Sequence, residues 1–342
     1  MKKIIICLIV VCTLLCGCDS KDNQEKNNKQ EDIVEDVKDE VEEKKKVSII
    51  DLENNDRPYA VMINTHNDAL PQANLKDAYI VYELMVEGGI TRMMALFKGK
   101  DVDKIGSVRS ARVQYLGYAY ENDAIYVHAG GAPDALDKIS SERINDVDVD
   151  GPYGFRDTNL NRSWEHTLFT STGLIKNAIN ARGFRKTSNV SNLLTYQAES
   201  LDLNTYTNKS SANNVSIQYS YYRTSNYTYN ADTKTYLRSF NNTSDVNLVT
   251  GEQMQVKNII IYAVNYSGYC VNGYCAYQKI NNLGSGDGYY ITEGQAIPIT
   301  WEKANEKSQT KYKVKETGKD LVVNDGNTYI QIYPTSGSLN IS

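Results

Sequence analysis

Two glutamates and an arginine are the first residues in this sequence whose spacing suggests chemistry: Glu83, Glu87 and, beyond a Gly88-Gly89 pair, Arg92. Carboxylates beside a guanidinium can perform acid–base work or hold an ion. If Gly88-Gly89 closes a two-residue hairpin, Glu87 faces Ile90, Met85 faces Arg92 and Glu83 faces Met94. Glu83, Glu87 and Arg92 then share one face of a sheet. A salt-bridge network on a half-exposed sheet would use the same residues.

A second set is the run Gly106-Ser107-Val108-Arg109-Ser110-Ala111-Arg112. On a helix that starts here, Arg109 and Arg112 share a face. Cations at a helix N-terminus oppose its dipole, so something negative must compensate them. That partner is either a phosphate-like anion, which an Arg fork matches bidentately, or Glu83 or Glu87. His128 ends an apolar run just before Gly130-Gly131, the kind of strand end where α/β sheets collect ligands. A lone histidine there also serves as a purely structural group. Arg156, Arg162 and His166 lie in a following loop that could form a lid or second wall.

Other chemistries lack their residues. No serine or cysteine stands in a nucleophile elbow, and no phosphate-loop motif occurs. With three histidines and neither HExxH nor CxxC, a zinc site of His and Cys is not expected, and no metal or cofactor is assigned.

The elements that must position these groups divide the chain in two. Residues 47–190 read as α/β. Apolar runs predict strands at Tyr59–Asn64, Ile80–Val86, Ile90–Lys98 and Ala124–Ala129. Helices are predicted from Ser107 or Ser110 to Glu121, from Pro133 to Ile139, and from Thr170 to Ala181 with Gly183 near the C-cap. Residues 191–342 read as mainly β, a sandwich or curled sheet of short Tyr-, Val- and Ile-rich strands. Residues 186–210 are the polar connection. The expected class is thus α+β: an N-terminal α/β domain followed by a β-rich C-terminal domain.

Residues 1–17 read as a signal peptide: Lys2 and Lys3, then an apolar run from Ile4 to Cys16 too short to span a bilayer comfortably. Leu15-Cys16-Gly17-Cys18 fits a lipobox, with Cys18 as the acylated residue. An ordinary secretory cleavage nearby is the alternative. Residues 18–46 form a charged linker of Lys, Glu, Asp, Asn and Gln that cannot bury a core, reaching on the order of 30 Å as a flexible coil.

The folded part carries a net charge of −3 out of −5 for the chain. That balance is wrong for a nucleic-acid binder, which needs a basic face. Cys270 and Cys275 are the two cysteines of the folded region. With Asn272-Gly273 as a hairpin loop, Val271 faces Tyr274 and Cys270 faces Cys275, which predicts a disulfide.

Long stretches resemble the YerB-like lipoproteins of Gram-positive bacteria. They are Arg57–Asn64 (RPYAVMIN), Pro71-Gln72, Ala78–Phe97, Ile105–Arg112 (IGSVRSAR), Asp123–Gly131 (DAIYVHAGG) and Thr167–Ser171, and, in the second half, VKNIIIYAV, GxGxGYY and NTYIQIYP. The family pattern usually reads GPVRSAR, and Ser107 replaces that proline here. The resemblance implies a two-domain protein and supplies no reaction. The run TRMMALFKGKDVDKIGSVRS also looks like a segment of LytR-CpsA-Psr phosphotransferases, in which arginines bind a polyprenyl pyrophosphate. Apart from Glu83 and Glu87, the acidic positions of those enzymes have no evident match.

The expectation is therefore a lipoprotein on the outer face of the cell membrane. Its partners would be the membrane, through the lipid, and an anionic wall precursor or a wall-synthesis protein, bound without catalysis. Glu83, Glu87, Arg92, Arg109, Arg112 and His128 are the candidate binding residues. A phosphotransferase or hydrolase acting on lipid-linked wall precursors is the alternative, and a purely structural interaction module is a third reading.

Overall fold

The apolar runs of both halves meet in one twelve-stranded sheet. The structure, a computed structural model, describes residues 46–342. The signal peptide and Cys18 lie outside the described residues, as does the linker up to residue 45. The first half contributes β1 (Tyr59–Ile63), β2 (Ile80–Met85), β3 (Thr91–Phe97), β4 (Ile105–Gly106), β5 (Ile125–His128) and β6 (Asp146–Asp148), with α1 (Val113–Glu121), α2 (Pro133–Ser141) and α3 (Thr172–Arg182). The central sheet runs β2-β3-β1-β5-β6 on one side. On the other side β2 pairs in parallel with Thr328–Pro334, a strand from near the C-terminus, and this pairs in parallel with Asn258–Val271. Gly284–Thr292 and Gln295–Lys303 continue the sheet. The class is α+β with a mainly β C-terminal region, but strands from the two halves share the same hydrogen-bonded ladder.

Each face of this sheet buries a different partner. Tyr82, Leu84, Met94 and Leu96 pack with Tyr115, Leu116 and Tyr118 of α1 and with Ala135 and Ile139 of α2. Val81, Met93 and Ala95 pack with Ile175 and Ile179 of α3 and with Val215, Ile217, Tyr219, Tyr227 and Tyr236. Those last five belong to a second, six-stranded sheet built largely from residues 214–256 and closed by Ser338–Ile341. Successive side chains on a strand point to opposite faces, so one residue of register decides which partner each side chain meets.

Local signals place α3 and the disulfide hairpin well. The Ser171 hydroxyl accepts the Leu174 N–H, and Gly183 ends the helix at φ 65°. Asn272 and Gly273 both have positive φ, as a two-residue turn of the primed type demands. Val271 pairs with Tyr274, and a bulge follows between Tyr269 and Val271. Cys270 and Cys275 are disulfide-bonded across this turn.

Two expectations are corrected. The Gly88-Gly89 loop takes three residues, Glu87–Gly89, both glycines at φ 71°, and the Val86 N–H donates to the Ile90 carbonyl at 2.8 Å. Leu84 therefore faces Arg92 and Glu83 faces Met93. The slip of one residue puts Glu83 and Arg92 on opposite faces. The helix expected from Ser107 or Ser110 begins only at Val113. Residues 107–111 run extended between the diverging ends of β1 and β5 instead. Arg109 N–H donates to the Met62 carbonyl, Ala129 N–H to the Arg109 carbonyl, and Ala111 N–H to the Gly130 carbonyl. Backbone groups exposed where two parallel strands part need partners, and this segment supplies them.

Candidate functional site

β1, β2, β5 and β6 run in the same direction, so their C-terminal ends gather at one edge of the sheet. Asn64-Thr65-His66 follows β1, Glu87 follows β2, and His128 ends β5. Arg109 and Arg112 cross this edge on the extended segment. Residues three apart on an extended chain point to opposite sides, so the two arginines, expected to share one pocket, part company.

Arg112 turns toward the β2–β3 loop. Its Nε donates to Glu87 Oε2 at 2.8 Å, and its Nη2 donates to Glu87 Oε1. Arg92 Nη2 lies 3.4 Å from the same Oε1, while its Nη1 donates to the Ser110 carbonyl at 2.9 Å. Burial alone would push the Glu87 carboxyl upward, but the Arg112 hydrogen bonds and the charges of Arg92 and Arg112 prevail and bring it to about 2. Arg92, deeply buried and next to Arg112, is pulled down to about 10. The Glu87, Arg92 and Arg112 part of the expected site does converge.

Glu83 does not join it. Fully buried on the opposite face, it accepts from Thr91 Oγ1 at 2.7 Å, Ser225 Oγ at 3.1 Å and Arg238 Nη2 at 2.7 Å. Arg238 also donates to Asp245 and lies 3.9 Å over the Phe240 ring. Burial raises the Asp245 carboxyl despite that arginine. Sequence reasoning missed Arg238 and Asp245 altogether, because nothing local marks a partner 155 residues away.

His128 is also apart. Its Nδ1 contacts the Gly130 carbonyl at 2.9 Å and its Nε2 contacts Asp146 Oδ2 at 3.2 Å. Both ring nitrogens are engaged within the fold, and the ring is buried.

Arg109 faces the 155–167 loop, where it donates to Glu165, a half-exposed residue. Arg162 holds this loop against residues 69–71, donating to the Ala69 and Pro71 carbonyls at 2.8 and 2.9 Å. This loop contains Arg156, Arg162 and His166 together. It carries His166 to His66, their rings stacked 5.1 Å apart. His66 and Asp68 were missed; their only signal is a His-x-Asp turn after a buried strand. Trp164, 65 % exposed, stacks on Arg156 beside this group. Tyr221 and Tyr222, 90 % and 66 % exposed, form a turn beside the β2–β3 loop, where Ser220 Oγ donates to the Gly89 carbonyl.

Such a fold, with a mixed sheet shared by two sequence halves and a charged edge at its strand ends, defines a two-part α+β scaffold. Residues 47–185 match the family described as "Protein of unknown function (DUF3048) N-terminal domain", and residues 215–330 match its C-terminal domain. The chain belongs to this YerB-like family. It is 29 % identical over 292 residues to "Putative lipoprotein YerB" of Bacillus subtilis (strain 168), covering 84 % of each chain. The crystal structure of the YerB protein from Bacillus subtilis superposes with a TM-score of 0.71 at 27 % identity, covering 83 % of this chain and 94 % of that one.

Proposed function

We propose that this protein is anchored by a lipid on Cys18 to the outer face of the cell membrane and binds an anionic envelope ligand without transforming it. The relative's lipoprotein name and the lipobox support the anchor. One observation carries the ligand reading. Arg112 and Arg92 share Glu87 and are 11 % and 4 % exposed, whereas Arg109 is 28 % exposed and its guanidinium meets one half-exposed carboxylate, Glu165. A phosphate or pyrophosphate group displaces Glu165 and takes the Arg109 fork bidentately. The catalytic alternative needs a carboxylate able to act as a base. Glu83 is enclosed by Arg238, Thr91 and Ser225, and Glu87 is held ionised with a pKa of about 2, which favours binding over phosphotransfer or hydrolysis.

The test uses inorganic pyrophosphate and farnesyl pyrophosphate as probes in calorimetry. Arg109→Ala should abolish binding with the fold intact, and Glu165→Gln should strengthen it. Equal binding by wild type and Arg109→Ala ends this reading. A wall-synthesis protein as partner is the second reading, favoured by exposed Trp164, Tyr221 and Tyr222 along the same edge. For the anchor, Cys18→Ala should lose palmitate labelling and leave the membrane fraction.

A further inference from the structure

We propose that His66, Asp68 and His166 form a binding site for a divalent transition-metal ion of the zinc class, with Glu165 as a further ligand. This inference does not rest on the anion reading. Two of the three histidines in the chain, a hundred residues apart, are brought together by the packing of the 155–167 loop on the segment after β1. One ligand atom from each of His66, Asp68 and His166 lies within 4.8 Å of the others. His66 Nδ1 is 3.6 Å from Asp68 Oδ2, and His166 Nε2 is 3.9 Å from Glu165 Oε1. Donors around a tetrahedral ion stand about 3.4 Å apart, given metal–nitrogen bonds near 2.1 Å. Closing the difference requires only side-chain rotation of His66 and Asp68, which are 47 % and 74 % exposed.

The donor set suits the ion. Neutral imidazole with carboxylate is the ligand mixture of zinc and its neighbours, and no cysteine is required. His166 is buried, 4 % exposed. Asn64, itself buried, stands behind that ring: its side-chain amide meets His166 Nδ1 at 2.9 Å. Ligating histidines are oriented by such a partner on the other ring nitrogen. Coordination through Nε2 puts the proton on Nδ1, so Asn64, whose Nδ2 faces that nitrogen and whose Oδ1 accepts the His66 N–H at 3.1 Å, has to turn its amide when the ion binds. Arg109 lies close by, but Glu165 already balances its charge, and two carboxylates then face one guanidinium. His66 Nδ1 accepts the Asp68 N–H at 3.2 Å and exchanges that bond for the ion, while ring stacking alone contributes little where His66 and Asp68 are 47 % and 74 % exposed.

The experiment takes the full chain in detergent, without a histidine tag, stripped by chelator and free of phosphate. Co2+ is titrated by visible absorption and Zn2+ by calorimetry. The wild type should take up one ion with saturation, showing the cobalt bands of a nitrogen–oxygen site and a rise in melting temperature. His66→Ala and Asp68→Asn sit at exposed positions and should fold normally, each lowering the affinity roughly tenfold or more. His166→Asn should do the same. Absence of saturable Co2+ or Zn2+ uptake, or unchanged affinity in His66→Ala and Asp68→Asn, overturns the proposal. Because no anion is present, this result is separate from the pyrophosphate test.

Discussion

Glu83 and Glu87 are four residues apart on one hairpin, and both end against arginine, yet they belong to different regions of the molecule. Glu83 is enclosed between the two sheets, where it binds Arg238 with no access to water. Glu87 lies at the sheet edge, 18 % exposed, shared between Arg92 and Arg112. The first ties the six-stranded sheet to the central one. The second fastens a loop over the segment that carries Arg109. The contrast teaches that surroundings set what a carboxylate–guanidinium contact does: Arg238 is fully buried between Glu83 and Asp245, whereas Arg109, chemically identical, is 28 % exposed and meets one half-exposed partner.

The comparison breaks most decisively at Glu83. Glu83→Gln breaks one of the two buried ion pairs of Arg238, leaving the pair with Asp245, and should lower unfolding free energy by about 3 kcal/mol, read by urea denaturation. The triple change Glu83→Gln, Arg238→Met and Asp245→Asn should recover a large part of that loss, since a buried ionic group replaced as a whole is far less damaging than one left broken. If the single change is silent, the pair does not hold the sheets together.

Glu87 should show a smaller effect with a distinctive pH signature. Its folded pKa of about 2 lies below the ordinary 4.5, so its contribution is present above about pH 4.5 and fades as pH falls toward 2. Wild type and Glu87→Gln should differ by roughly 2–3 kcal/mol at neutral pH and converge near pH 2, in unfolding curves measured at several pH values. A constant gap across that range would separate Glu87 from the arginines. The Cys270–Cys275 bridge closes a very short loop, so Cys270→Ser with Cys275→Ser should cost about 2 kcal/mol or less. Intact mass with and without reductant checks the bridge itself. Least of all, Arg109→Ala should change stability by less than about 0.5 kcal/mol, because its pair with Glu165 is exposed. A large loss there would move Arg109 into the same structural class as Arg238.

Much of the scaffold was legible in the residues. Apolar runs marked β1, β2, β3 and β5 to within a residue or two, the helix expected over Thr170–Ala181 with Gly183 near its C-cap matched α3 to within two residues, and Asn272-Gly273 called for the turn that joins Cys270 to Cys275. These signals are local: periodicity and a glycine at positive φ. The site was legible only in part. Glu87, Arg92 and Arg112 converge, with Glu87 as the carboxylate expected to compensate the arginines, although the two-residue hairpin did not form; Glu83, Arg109 and His128 each go elsewhere.

The sequence by itself determined the α+β class, the ends of α3, the disulfide turn and the list of charged groups available to a site. Tertiary structure alone decided which of those groups meet. A three-residue loop in place of two turned Glu83 to the far face, since side chains on a strand alternate. The parting of β1 and β5 drew residues 107–111 into an extended path, which separated Arg109 from Arg112. And any guanidinium satisfies any carboxylate, so no pattern along the chain could name Arg238 as the partner of Glu83 or bring His66 to His166. Those pairings come from sheet packing and loop docking, where distance in sequence carries no information about distance in space.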